Sequence, residues 1–181
     1  MKHLILIGFM GAGKTTVGNR LARELDWKMI DTDQRVVEKA GMPVTEIFSK
    51  YGEKRFREME TEVLTELLLE SRPAVVSVGG GLPVQPQNAV YLKKMGTTVY
   101  LRAKEETLIG RLQGDKTRPL LQNGGLEKKI HALLNERAEI YEERADVVLD
   151  TDGLTLEQTV GALLDRISQN PTFPGGQEKN S

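Results

Sequence analysis

The chain has 181 residues, with 25 Lys+Arg against 26 Asp+Glu and a formal net charge of −1, which argues for one domain and leaves no cationic excess for duplex nucleic acid or an anionic membrane surface. Cysteine is absent, which excludes disulfides, thiolate–zinc sites, iron–sulfur clusters and a thiol nucleophile, and two histidines are too few for a His-rich metal centre. What remains is chemistry by Lys, Arg, Asp, Glu and backbone groups.

Residues 4–7 are a short apolar run that stops at Gly8, the pattern of a buried parallel strand. The run from Lys2 to Met10 loosely resembles a signal peptide, but glycines at 8, 11 and 13 and then Lys14 interrupt it, so a cytoplasmic protein is expected. Residues 8–15, GFMGAGKT, fit G-x-x-x-x-G-K-[ST]. They precede a helix marked by Val17, Leu21 and Leu25 at four-residue spacing. A phosphate-binding loop needs that placement: backbone N–H groups turn toward phosphate oxygens and the helix N-terminus adds partial positive charge. Lys14 can reach the β- and γ-phosphates, and the Thr15 hydroxyl can ligate Mg²⁺. Gly11, Ala12, Gly13, Lys14, Thr15 and Thr16 are the expected ATP contacts of the loop.

A second strand signal at residues 29–30 leads into Asp31-Thr32-Asp33. Period-two alternation puts both carboxylates on one side, beyond the carboxyl end of the strand, where ligands of open α/β sheets bind. One acid could support Mg²⁺ and the other orient an attacking hydroxyl. Acids at a helix N-cap are an equally good reading, because residues from Gln34 onward look helical. Residues 34–71 carry only helical signals and are expected outside the sheet, at its edge. There Arg57 and Glu60 stand at i, i+3 and can pair. Glu60 shares a face with Phe56, Val63 and Leu67, which suits an acid holding the Arg57 guanidinium. A solvated charge ladder is the commoner reading of GEKRFREMETE.

Residues 74–78 are a third strand, ending in Gly79-Gly80-Gly81. Three glycines in a row are costly in chain entropy and suit close backbone approach to a ligand; a flexible loop is the alternative. A fourth strand follows at 99–101 and a fifth at 147–149, with helical stretches near 86–95, 104–112, 126–143 and 156–167. Thr155 and Gln158 form a capping-box pattern at the start of the last. Residues 113–125 form a polar loop containing Arg118-Pro119. Its length suits a lid, with Arg118 closing over a transferring phosphoryl group, although a mobile surface arginine would look the same. On the helix at 126–143, Arg137 falls within the stripe of Leu126, Ile130, Leu133, Leu134 and Tyr141. An inward arginine keeps its proton and needs an anion, either a protein carboxylate or a substrate carboxylate or phosphate. Asp150-Thr151-Asp152-Gly153 matches the D-x-x-G of a GTPase switch, but no N-K-x-D follows, so a polar loop ended by glycine is the better reading. His3 and His131 are assigned to structure and surface, Trp27 to packing near the end of the first helix, and residues 170–181, NPTFPGGQEKNS, to a disordered tail.

Strands alternating with helices predict an α/β fold: three αβα layers around a five-stranded parallel sheet, with a P-loop, a helical insertion at about 34–71 and a lid at about 113–125, in one domain of residues 1–169.

In order and spacing these motifs resemble those of the shikimate kinases over roughly residues 3–168. The resemblance rests on GFMGAGKTT at 8–16, DTD at 31–33, FRxxE from Phe56 to Glu60, GGG at 79–81, RPLL at 118–121 and ERAEIY at 136–141. It implies a nucleoside-monophosphate-kinase-like core and transfer of the ATP γ-phosphoryl group to the 3-hydroxyl of shikimate, in chorismate and aromatic amino-acid biosynthesis. It also implies residue roles. Lys14 and Thr15 would serve ATP and Mg²⁺, and Asp31 would support the metal through water. Asp33 would bind ring hydroxyls and help deprotonate the attacking one. Arg57 and Arg137 would grip the shikimate carboxylate, with Glu60 behind Arg57, while Gly79, Gly80 and Gly81 would bring backbone N–H groups to the substrate. Arg118 would be the lid arginine, and Arg111 would pack on adenine. The turn at 150–154, DTDGL, departs from members that place an arginine and a proline against adenine. The implied protein acts as a monomer on ATP and shikimate, with no nucleic acid or membrane partner. A kinase for another small anion, such as gluconate or a nucleoside monophosphate, and a nucleotide-dependent switch are the rival readings.

Overall fold

In the computed structural model, which describes residues 2–113 and 125–169, strands and helices alternate from the first residues. The order is β1 (His3–Ile7), α1 (Lys14–Glu24), β2 (Lys28–Asp31), α2 (Thr32–Ala40), α3 (Val44–Leu67), β3 (Ala74–Ser77), α4 (Asn88–Met95), β4 (Gly96–Arg102), α5 (Glu105–Leu112), α6 (Leu126–Arg144), β5 (Val147–Asp150) and α7 (Leu156–Ser168). The strands lie in the order β2-β3-β1-β4-β5 and every neighbouring pair is parallel. β1 sits in the middle with all five residues buried, as expected of a strand covered on both faces. α1 packs on β3 and against α7 on one face, while α4 and α6 lie over β1 and β4 on the other, giving the three expected layers.

Several boundaries differ from those read off the sequence. β4 is longer than residues 99–101, because Thr97 and Thr98 are buried and pair with Leu4 and Ile5 of β1; an apolar count misses such polar strand residues. α2 begins at Thr32 rather than 34, since Asp31 both ends β2 and caps the helix. Thr155 and Gln158 form the reciprocal capping box at the start of α7. α2 and α3 follow the edge strand β2 and pack on each other. α3 is broken at Gly52, whose φ of 79° and ψ of 169° lie in a region open essentially only to glycine. The break turns residues 44–51 into a separate arm.

His3 has a structural role: its Nε2 lies 2.9 Å from Leu67 O and its Nδ1 accepts from Ala74 N at 3.2 Å, tying the end of α3 and the start of β3 to β1. His131 lies at the surface beside Glu105. Among the described residues no helix is long and apolar enough to cross a membrane. The expected tail at 170–181, and residues 114–124 of the expected lid with Arg118, lie outside the described residues.

Candidate active site

β1 and β3 are neighbours, yet the chain leaves them in opposite directions, to β2 on one side and β4 on the other. This reversal opens a crevice at their carboxyl ends. The loop after β1 fills one wall. Gly13 takes the left-handed conformation at the start of α1, no side chain caps that helix, and no acidic residue occupies its first turn. The helix N-terminus therefore presents N–H groups and partial positive charge to the crevice. Lys14 Nζ donates to Gly8 O at 2.9 Å and to Phe9 O at 3.0 Å, which holds the ammonium inside the loop. Lys14, Thr15 and Thr16 line the crevice together with Asp31, Asp33, Ser77 and Gly79.

The two aspartates reach this crevice by a route that alternation along a strand does not describe. Asp31 Oδ1 accepts from Asp33 N at 3.0 Å and Gln34 N at 3.3 Å, so Asp31 is the N-cap of α2. Asp33 lies in the first helical turn. The N-cap reading holds, and both acids still line the crevice, where capping leaves Asp31 Oδ2 to accept from the Thr15 hydroxyl at 3.1 Å. Thr15 and Asp31 thus offer oxygen donors of the kind a hard cation takes, mostly with water and phosphate. No group of three or more His, Asp or Glu with metal-binding proximity occurs among the described residues.

A second pocket adjoins the first. Its walls include Phe48, Phe56, Arg57, Glu60, Gly81 and Arg137, and it shares Met10, Asp33, Gly79 and Gly80 with the phosphate crevice. Arg57 is clamped from both sides: Nη1 donates to Glu60 Oε2 at 2.8 Å, and Nη2 and Nε donate to Glu53 Oε1 at 2.9 and 3.3 Å. Glu60 is fully buried. Burial pushes its carboxyl up to about 7, against the lowering effect of the Arg57 charge. Arg137 is 6% exposed, and its Nε has no hydrogen-bond partner among the described residues. The buried Glu60 carboxylate feels the Arg137 charge, so a protein carboxylate and a bound anion both remain open as its partner. A buried guanidinium nitrogen left without an acceptor is costly, and it suits a pocket that takes an anion.

The glycine loop after β3 separates the two pockets. A Cβ on Gly81 would lie 2.5 Å from both Arg57 Nη atoms, and one on Gly79 would collide with Asp33 Oδ1 and come within 2.9 Å of Glu60 Oε1. The absent side chains therefore make room for the protein's own charged groups. The Gly79 N–H donates to Thr32 Oγ1 at 3.1 Å, which leaves the expected delivery of backbone N–H groups to Gly80 and Gly81. On the far side of the P-loop a third pocket is lined by Arg111, Thr151, Leu154, Leu156 and Thr159. Arg111 Nη1 donates to Gly11 O at 3.0 Å. In the D-x-x-G-like turn, Asp152 accepts from Lys104 N at 2.9 Å and Thr107 Oγ1 at 2.6 Å, and Asp150 pairs with Arg102. Both acids are engaged in structure.

Residues 10–168 match the family model described as shikimate kinase. The chain belongs to the shikimate kinase family. It is 40% identical over 175 residues to a shikimate kinase of Thermodesulfovibrio yellowstonii, covering 95% of this chain and 100% of that one. It is 43% identical over 157 residues to one of Caldicellulosiruptor bescii, covering 87% and 90%. Among solved structures, the shikimate kinase of Acinetobacter baumannii in complex with shikimate superposes with a TM-score of 0.89 at 37% identity, covering 94% of this chain and 95% of that one. As a member of this family the protein is an ATP-using kinase, which accounts for the phosphate cradle.

Some site residues had weak signals or none. Glu53 stands at i, i+4 from Arg57, a spacing the sequence does show, but it lies in a charge-dense helix. Phe48 lines the pocket from the part of α3 that precedes the break at Gly52. Thr32 lies 47 residues from the Gly79 N–H it accepts, with no local pattern to announce the contact.

Proposed function

We propose that the protein transfers the γ-phosphoryl group of ATP to the 3-hydroxyl of shikimate, giving 3-phosphoshikimate and ADP. One observation carries this reading: Asp33 stands in the wall shared by the phosphate crevice and the pocket that holds Arg57 and Arg137. A substrate whose carboxylate is clamped by two guanidiniums would present a hydroxyl at that wall. Planar guanidiniums suit a carboxylate because they donate paired N–H groups. Gly80 and Gly81 line the same pocket, and their N–H groups would add donors.

With shikimate so held, Asp33 accepts the proton of the attacking hydroxyl. The hydroxyl oxygen bonds to the γ-phosphorus while the bond to the β–γ bridging oxygen breaks, and ADP leaves. Lys14 and the N-terminus of α1 hold the phosphates and offset their charge, so alignment and electrostatics supply most of the acceleration. Mg²⁺ carried by ATP would be held by the Thr15 hydroxyl and, through water, by Asp31, and would neutralise β- and γ-phosphate charge. Glu60 and Glu53 keep Arg57 in place. Arg111 and the leucines of the third pocket take the adenine, and the transferring phosphoryl group is assigned to Arg118, which lies outside the described residues. The protein is taken to act as a monomer in the cytoplasm.

The test is ADP release by the purified protein with shikimate, gluconate, AMP or no acceptor. Release only with shikimate is expected. Release with gluconate or AMP instead would reassign the acceptor, and equal release without any acceptor would mark an ATPase or switch.

A further inference from the structure

Tyr141 is fully buried on α6, one turn beyond Arg137, with its ring 5.2 Å from that of Tyr100 on β4. Buried tyrosine hydroxyls need partners, and this one finds both in the walls of the anion pocket. It donates to Gly80 O at 2.5 Å, and its own oxygen accepts from the Arg137 guanidinium. Burial pushes the phenol up to about 12 against the opposing pull of Arg137, so the hydroxyl keeps its proton and remains a donor.

The position of that bond matters because of peptide geometry. A trans peptide group is planar, with C=O and N–H pointing in opposite directions. The peptide whose oxygen is Gly80 O carries the N–H of Gly81. Holding the oxygen toward α6 therefore aims the Gly81 N–H away from α6. Glycines have no side chains to lock such a loop, so its orientation rests on bonds from its neighbours. Thr32 takes the Gly79 N–H at one end, and the fully buried Asn88 donates to Leu82 O at 3.0 Å at the other, itself accepting from Thr61. Between these anchors Leu82 N donates to Gly79 O at 3.0 Å and closes the turn, and Tyr141 holds the carbonyl of its middle peptide.

We infer that Tyr141 is a positioning residue for recognition of the substrate carboxylate, aiming the Gly81 N–H through Gly80 O and fixing Arg137 through the same hydroxyl before shikimate arrives. This rests on the shikimate reading of the pocket.

The test is Tyr141→Phe, which keeps the ring and removes the hydroxyl. Shikimate KM is expected to rise about tenfold, the usual scale for leaving buried polar groups unpaired, while ATP KM and kcat stay near wild type, the pattern of lost binding that does not change on reaching the transition state. If wild type shows no shikimate-dependent ADP release, the functional reading itself fails. If wild type is active and the variant keeps its shikimate KM, the positioning role alone fails. A parallel rise in both KM values with a lowered melting temperature marks a merely structural tyrosine and also overturns it. A measurement on the unaltered protein needs no variant. The Tyr141 hydroxyl proton, identified by its proximity to the Tyr100 ring, is expected as a slowly exchanging NMR signal that moves on saturation with shikimate and stays put on saturation with ADP. A signal indifferent to shikimate overturns the proposal.

Discussion

Replacing Gly81 by alanine tests the arrangement of the anion pocket at its tightest point. The new Cβ would lie 2.5 Å from both Arg57 Nη atoms and 2.6 Å from Cζ. An ordinary contact needs about 3.4 Å, so the guanidinium has to retreat by about 0.9 Å. It cannot do so freely, because Glu60 holds it at 2.8 Å and Glu53 at 2.9 Å from the other sides. Misplacing a binding group by about 1 Å costs roughly a hundredfold, or about 2.7 kcal/mol. Gly81 has no positive φ, so alanine adds no backbone strain and the effect reads as steric. Gly80→Ala is the matched control, since its Cβ would meet Gly8 O and the Tyr141 hydroxyl at 3.4 Å. In steady-state assays with each substrate varied in turn, Gly81→Ala is expected to raise shikimate KM by about a hundredfold and leave ATP KM unchanged, with Gly80→Ala much milder. An unchanged shikimate KM in Gly81→Ala, or equal penalties in the two variants, would refute the reasoning.

Asp33→Asn keeps the size of the side chain and removes the proton acceptor. It is expected to lower kcat by at least about a hundredfold while shikimate KM moves far less; turnover near wild type would remove Asp33 from the chemistry. Glu60 makes a prediction about pH. Its carboxyl sits near 4.5 ordinarily and at about 7 in the folded protein, because burial outweighs Arg57. Between those values the folded state keeps a proton that the unfolded chain has lost. The associated stabilisation is complete below about pH 4.5 and disappears as pH rises through about 7. Glu60→Gln abolishes that titration, so the melting temperature of wild type relative to the variant should fall from about pH 5 to about pH 7.5 and then level off. A difference that stays constant across this range sinks the assignment.

The parts of the site that could be read from the chain are those whose chemistry is carried by neighbours in sequence. The P-loop needs glycines, a lysine and a threonine in one contiguous run between a strand and a helix, and GFMGAGKT supplies them. Arg137 shows itself inward because helical period alone places it beside Ile130 and Tyr141, and both are buried in the structure. The pairing of Arg57 with Glu60 follows from one turn of helix.

Other features depend on which segments the sheet brings together. Asp31 and Asp33 are visible as acids, but only the tertiary structure shows one capping α2 while the other forms a wall common to two pockets. The helical pattern of the insertion gives no sign that Gly52 breaks it, or that Phe48 lines the second pocket. Tyr141 reads as one more apolar position on its helix, yet its hydroxyl is spent on a carbonyl 61 residues away. The chain by itself therefore determined the parallel αβα fold, the phosphate cradle and the identity of the charged groups, because periodicity and short motifs act within a turn or two of backbone. The strand order β2-β3-β1 decided how those groups face one another. Hydrogen bonds and steric contacts act over a few ångströms in space, and it is this order that sets Thr32, the glycine loop and Tyr141 side by side.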